Sequence, residues 1–385
     1  MGPLRTLVRM SSPLTLERVQ RDVEVVSRAG LDLDTFLEEA VESLARAVPW
    51  VSACLATHDP ATQLLTSARK YGHLRSVDTH DQEFGLIEYG TVEPTAFSEL
   101  VQRDLPAAGV HLQHEGDIER SGRMSSFMLP RFGFHDEARL VFRDAGQAWG
   151  AMALFRGSGD DPFDADEIDY LATLSGHFAR GVRAGMLCQL ATGSPTGSPM
   201  GPAVLIVGSD NQVAQMSMGA EQRLGDLISG AAGGDPMASV ASLVGAARRY
   251  ARGETTTPPR CRVRGASGMW LVLHASPLTS ADGRAGDVVV TIEEARPPEI
   301  VALVVAAFGL TRRERDVTQL VLQGVDTKEI AATLHVSTYT VQDHLKAVFD
   351  KADVRSRREL IARIYFDQYV PRMGSELGPQ GWFSS

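Results

Sequence analysis

The chain contains only three cysteines in 385 residues, Cys54, Cys188 and Cys261, and they stand far apart. This spacing provides neither a disulfide framework nor a metal knuckle, so a reducing, cytoplasmic setting is the default expectation. Aromatic residues are scarce at 6%, and 22% charged against 43% hydrophobic residues is the balance of globular domains. No run approaches the ~20 apolar residues needed to cross a bilayer, so no membrane partner is expected. Catalytic signatures are missing too: there is no HExxH, no GxxxxGK[ST] and no GxSxG.

Positive charge is also in short supply. The chain carries a formal net charge of −10, yet between residues 310 and 366 ten basic residues outnumber eight acidic ones. That segment has a net charge of +2 and leaves −12 on the remainder. Its pattern is that of four short capped helices. Thr311 and Glu314 have capping-box spacing, and Val317, Leu320 and Val321 recur as a core stripe. Gly324 predicts a left-handed cap, and Asp326 with Glu329 opens a second helix carrying Ile330, Ala331 and Leu334. His335-Val336 predicts a tight turn and Ser337 the cap of a third helix. There Val341, Leu345, Val348 and Phe349 must face inward. At about 100° per residue this turns Tyr339, Gln342, Asp343, Lys346 and Asp350 outward together. Two helices joined by such a turn, the second with a polar face, describe a helix-turn-helix. A fourth helix from about Ser356 repeats Leu360, Ile361 and Ile364, an apolar stripe suited to pairing.

This run resembles the LuxR/FixJ/NarL family of four-helix DNA-binding domains. The resemblance rests on T-x-R-E-R (Thr311, Arg313, Glu314, Arg315), on Lys328-Glu329-Ile330-Ala331, and on Thr340-Val341-x-x-His344 followed by Lys351 and Val354-x-x-Arg357. It covers about 60 of the 385 residues. It implies that the second and third helices read double-stranded promoter DNA, with the third in the major groove, and that the fourth helps form a homodimer. RNA polymerase is a further candidate partner. Gln342 stands where many members carry a basic residue, and Asp343 beside it is acidic, so base preference does not transfer.

The candidate DNA-binding residues follow from both readings. Lys346 suits a base or phosphate contact, Gln342 a bidentate pair with adenine, and Asp343 the amino group of cytosine. Tyr339 and Thr340, near the helix N-terminus, suit phosphate, since amide groups and dipole attract anions there. His344 either reaches DNA or packs between helices. Thr338 and Lys328 complete the set. One weakly basic copy should bind poorly alone, which favours a dimer.

The rest of the chain divides at two composition breaks, Thr192–Pro202 and Ala295-Arg-Pro-Pro. Before the first, helices around Leu16–Val26 and Phe36–Val48, the second capped by Asp34, precede strands at Val51–Ala56 and Leu64–Arg69. A less readable middle leads to strands at Ala138–Phe142 and Trp149–Phe155. A closing helix has an Asp164/Glu167 capping box and a near-heptad stripe from Ile168 to Val182 that offers a second pairing surface. That order resembles a GAF sensor domain, most of all in the Trp149–Leu154 strand and Pro162-Phe163 before the last helix. After the break, two strands, helices and three antiparallel strands resemble a PAS-like fold.

The expectation is therefore a multidomain α+β protein: a GAF-like sensor domain at 14–190, a linker at 191–202, a PAS-like domain at 203–296, a LuxR-type helix-turn-helix domain at 304–370 and a disordered tail at 374–385. The function expected is DNA-binding transcription regulation under control of the sensor domains, with no catalytic or metal site and no evident cofactor. A small-molecule ligand of either sensor domain stays open. His73, His80, His111, His114 and His135 read as surface or core histidines, and Cys54 as an inert thiol. The alternative is a sensor or scaffold with a small-molecule or redox-active GAF-like domain and only secondary DNA binding. An enzymatic GAF-like domain that reduces methionine sulfoxide would need clustered cysteines.

Overall fold

The computed structural model of the chain describes residues 11–75, 77, 80–144, 146–188, 201–227, 235–279 and 285–365. Residues 191–200 of the expected linker and the tail at 374–385 lie outside the described residues. Packing divides the described chain into two compact units, one running up to Glu294 and one beginning at Ala295.

The first unit opens with α1 (Pro13–Arg28), where the Ser12 hydroxyl accepts from the Thr15 amide and Pro13 pre-sets the first turn. Next comes α2 (Leu33–Ala45), whose cap is Asp32 rather than the expected Asp34. The Asp32 carboxylate takes both the Asp34 and Thr35 amides, which frees Asp34 to accept from Arg69 Nε. Strands β1 (Ser52–His58) and β2 (Leu65–Gly72) follow, then α3 (Asp81–Gly90), α4 (Phe97–Leu100), β3 (Ala107–Gly109) and α5 (Val110–Gln113). A π-turn at Met124–Met128 runs into α6 (Leu129–Phe132), and β4 (Phe134–Asp144), β5 (Gln147–Gly157) and α7 (Ala165–Cys188) close this half. The five strands form one antiparallel sheet in the order β2-β1-β5-β4-β3.

Helix α7 starts at the expected reciprocal capping box, Asp164 with Glu167, and lies on the sheet, where Phe178 stacks on Phe142 at 4.8 Å. Ile168, Leu171, Ser175, Phe178 and Val182 are all buried there. The near-heptad stripe is thus spent inside the chain and is not a free pairing surface. It reads as heptad because a helix packed on a twisted sheet also needs one apolar face. Gly181 is required at this seam: a Cβ there would stand 2.1 Å from the Phe36 ring.

The second half of the unit comprises β6 (Ala203–Val207), β7 (Val213–Met216), α8 (Ala220–Asp226), α9 (Pro236–Ala251), β8 (Arg260–Arg264), β9 (Trp270–Thr279) and β10 (Ala285–Glu294). Its sheet runs β7-β6-β10-β9-β8. Counted within each half, both sheets have the order 2-1-5-4-3, a structural repetition that the sequence does not reveal. The halves share one hydrophobic core in which Leu64, Leu65 and Tyr89 pack with Leu205, Val240 and Leu273. Across the same seam the Arg262 side chain donates to both Asp59 oxygens.

The C-terminal unit begins with α10 (Pro297–Ala307), earlier than the 304 expected from sequence, and continues through α11 (Arg312–Leu322), α12 (Thr327–Leu334), α13 (Thr338–Ala352) and α14 (Arg357–Tyr365). Helix α14 packs on α10, and Leu360 and Ile364 are buried. The apolar stripe expected to pair two copies is therefore largely used within the unit.

Candidate nucleic-acid interface

Local chemistry builds the interface one helix at a time. Thr311 Oγ1 accepts from the Glu314 amide at 3.3 Å while the Glu314 carboxylate accepts from the Thr311 amide at 2.6 Å. These reciprocal bonds satisfy two donors at the start of α11. Glu314 also takes the Lys351 ammonium at 2.6 Å, tying the start of α11 to the end of α13. Burial pushes the Glu314 carboxyl upward, but Lys351 and the Thr311 amide outweigh it and hold it below the usual carboxylate range. Gly324, at φ 81°, sits just beyond the α11 cap at Gln323, and Asp326 accepts the Lys328 and Glu329 amides to start α12. Arg357, from the start of α14, donates to the Val325 carbonyl at 2.8 Å and to Thr327 at 2.9 Å, pinning the loop before α12.

The turn between α12 and α13 depends on His335, which adopts φ 55°, and on Ser337, whose hydroxyl accepts from the Thr340 amide at 3.0 Å. Val341, Leu345 and Val348 of α13 are buried, and Phe349 is half-buried rather than fully enclosed. Opposite them Thr338, Tyr339, Gln342, Asp343 and Lys346 are all exposed, Tyr339 to 71%. Thr340 and His344 are half-buried at the flanks, and the Thr340 hydroxyl lies 2.9 Å from that of Ser337. Lys328 is exposed on α12.

Sequence spacing anticipated the exposed polar face of α13, but it did not disclose what the motif residues do for the fold. Glu314, Lys351 and Arg357 act here as struts. Arg315 joins them, donating to the Leu310 carbonyl at 2.9 Å. Basic residues in a helix-turn-helix suggest phosphate contacts by default, and only long-range geometry shows that these are engaged at home.

The expected histidine candidates do not converge. His73 and His135 are exposed, His80 and His111 are half-buried, and His114 is buried. Among the described residues no group of three or more His, Cys, Asp or Glu side chains is placed to hold a metal. Cys54 is a free thiol on β1 pushed up to about 12, chiefly by burial, so it stays protonated and weakly nucleophilic. The readable signals missed a charged cluster in the first half. Arg123 reaches Glu137 at 2.8 Å and Glu93 at 3.1 Å, while Arg139 stands 2.8 Å from Glu88 and 3.7 Å from the Phe97 ring centroid. Beside it the Tyr89 hydroxyl and His58 Nε2 are hydrogen-bonded at 2.8 Å.

With this geometry in place, the profile of the bacterial regulatory proteins of the luxR family matches residues 309–364, the stretch that forms α11 to α14. The spore germination protein GerE of Bacillus subtilis is 38% identical over 55 residues, 14% of this chain and 74% of that protein. The chain belongs to the luxR family of bacterial regulatory proteins. The HTH-type transcriptional regulator in the exeN 3′ region of Aeromonas salmonicida is 51% identical over 51 residues, 13% of this chain, and this luxR-family chain spans only 26% of its length. Among solved structures, a GAF domain of A. aeolicus aligns over 44% of the luxR-family chain and 95% of the domain, with 12% identity and a TM-score of 0.29. No helix among the described residues is long and apolar enough to cross a membrane.

Proposed function

We propose that the chain is a cytoplasmic, non-enzymatic transcriptional regulator whose unit from Ala295 onward binds promoter DNA as a homodimer, under control of the unit that precedes it. The observation that carries this reading is the exposed polar face of α13, set by the Ser337 cap opposite buried Val341, Leu345 and Val348. In this reading Lys346, Gln342 and Asp343 meet base edges, Thr338, Tyr339 and Thr340 meet phosphate near the helix start, and Lys328 and His344 flank them. The first unit serves as the input arm, its halves taken as GAF-like and PAS-like sensors on the strength of their element order. RNA polymerase is the proposed downstream partner.

The test is retention of purified protein on DNA from its own upstream region, with Lys346→Ala and Gln342→Ala alongside. Each substitution should weaken binding, by ~1–3 kcal/mol where the side chain reads a base and by less where it meets only phosphate. If both variants bind like the parent, the groove face lies elsewhere. Dimeric binding predicts two half-sites about one helical turn apart as an inverted repeat. Sedimentation showing a monomer both free and on DNA excludes the dimer.

A further inference from the structure

The two halves of the first unit meet around a cavity of about 260 Å³. The first half contributes Gln63 from the β1–β2 turn, Tyr89 from α3, and Ser98 and Glu99 from α4; the second contributes Arg249 from α9 and Glu254 just beyond it. Three buried polar atoms of this lining, Gln63 Oε1, Ser98 Oγ and Arg249 Nε, have no hydrogen-bond partner among the described residues. Buried polar groups are ordinarily paired, and each one left unpaired is costly. The same wall carries the charged side chains of Arg249, Glu99 and Glu254, so the lining suits a polar ligand.

Its charges narrow the class. Arg249 is only 12% exposed, and the carboxylate beside it, Glu254, stands 3.7 Å away. Glu254 is itself held by Arg252, which donates to both of its oxygens. The Arg249 charge is therefore loosely balanced. Glu99, from the other half, makes no ion pair among the described residues. A plain anion would meet Glu99 and Glu254, and a plain cation would meet Arg249. A molecule with one charge of each sign satisfies both walls. The volume lies below the ~300–1,000 Å³ of drug-sized pockets, which suits a small metabolite.

We propose that this cavity binds a small zwitterion of the amino-acid class, with its carboxylate on Arg249, its ammonium on Glu99, and its body against Tyr89. Because the two ends are held by different halves, the ligand bridges the seam between the sheets. This deepens the reading of the unit as an input arm and rests on it for its consequence, whereas the binding itself is measured without DNA.

The test uses the full chain and the standard free amino acids, offered singly, with acetate and ethylammonium as single-charge controls. Thermal unfolding should show saturable stabilisation by at least one amino acid and by neither control. Arg249→Met and Glu99→Gln should each weaken that binding about tenfold or more, the loss of one charge-assisted contact. Glu99 is half-exposed on a short helix, so its variant keeps the test open if Arg249→Met fails to fold. Stabilisation by no amino acid, equal stabilisation by acetate, or parent-like affinity in the Glu99→Gln protein overturns the proposal. None of these results depends on whether the chain retains its upstream DNA.

Discussion

His58 and Glu314 show what single residues contribute and how differently they announce themselves. His58 is fully buried and held down to about 3, by burial first and by the nearby Arg139 charge second. The folded protein keeps it neutral where an unfolded chain would protonate it below about 6.5. Stability from this site is therefore complete above that value and falls as the pH drops toward 3, by up to about 1.4 kcal/mol per pH unit. His58→Gln should flatten the decline of thermal stability between pH 6.5 and 4, and parallel curves for variant and parent would refute the assignment. Glu314 has the opposite logic of a carboxylate held low. Its stabilisation is present above the ordinary glutamate range and is lost as the pH falls through the depressed value. Glu314→Gln should cost the C-terminal unit about 1.5–3 kcal/mol at neutral pH, and the gap to the parent should close in acid. A gap unchanged at low pH would count against the Lys351 pair. The capping role of Glu314 was legible because Thr311 lies three residues away. Its bond to Lys351, 37 positions on, was not, and neither was the His58–Tyr89 pair.

Elements were legible where one periodicity ruled them. The four C-terminal helices, the long strands β4 and β5 and the closing helix α7 lie where alternation, capping and helical spacing put them. Between Gly72 and Phe134 comes α3, whose buried face holds Gly85 and Glu88 rather than an apolar stripe, and then four-residue helices, a three-residue strand and a π-turn, each too brief for a pattern to repeat. That stretch also supplies Glu88, Glu93 and Arg123, so the charged cluster stayed hidden with it. Apolar stripes were legible as stripes but not as to what covers them: those of α7 and α14 are buried within the chain. The seam between α3 and α9 gives a test at this scale. A Cβ on Gly245 would stand 2.9 Å from the Gly90 amide nitrogen, a backbone contact that cannot swing aside. Helix propensity alone favours alanine over glycine by about 1 kcal/mol. Gly245→Ala should nonetheless lower the thermal stability of the first unit, by roughly 1–3 kcal/mol as overpacking does. Unchanged or raised stability would show that the helices can part without loss.

At the scale of the whole molecule, charge and compactness divide along the same line. The excess of −12 lies outside residues 310–366, which carry +2, and the helix-turn-helix belongs to a unit that packs on its own from Ala295. Phosphate contacts supply most non-specific affinity, so a segment with so small a positive balance gains little from bulk charge, and the proposed function rests its hold on the α13 face and on pairing. Within the first unit the shared core, the Arg262–Asp59 bonds and the α3–α9 seam join the two sheets, so a ligand bridging them acts on the unit as a whole. A fragment beginning at Ala295 should therefore protect the same sequence as the full chain in footprinting on one promoter. On the proposed dimeric reading it should do so more weakly, since any contact between copies made by the first unit is lost. It should also be indifferent to metabolites from cell extract that alter the footprint of the full chain. A different protected sequence would place part of the DNA reading in the first unit. An undiminished response in the fragment would place the input in the C-terminal unit itself, and either result would break this division of labour.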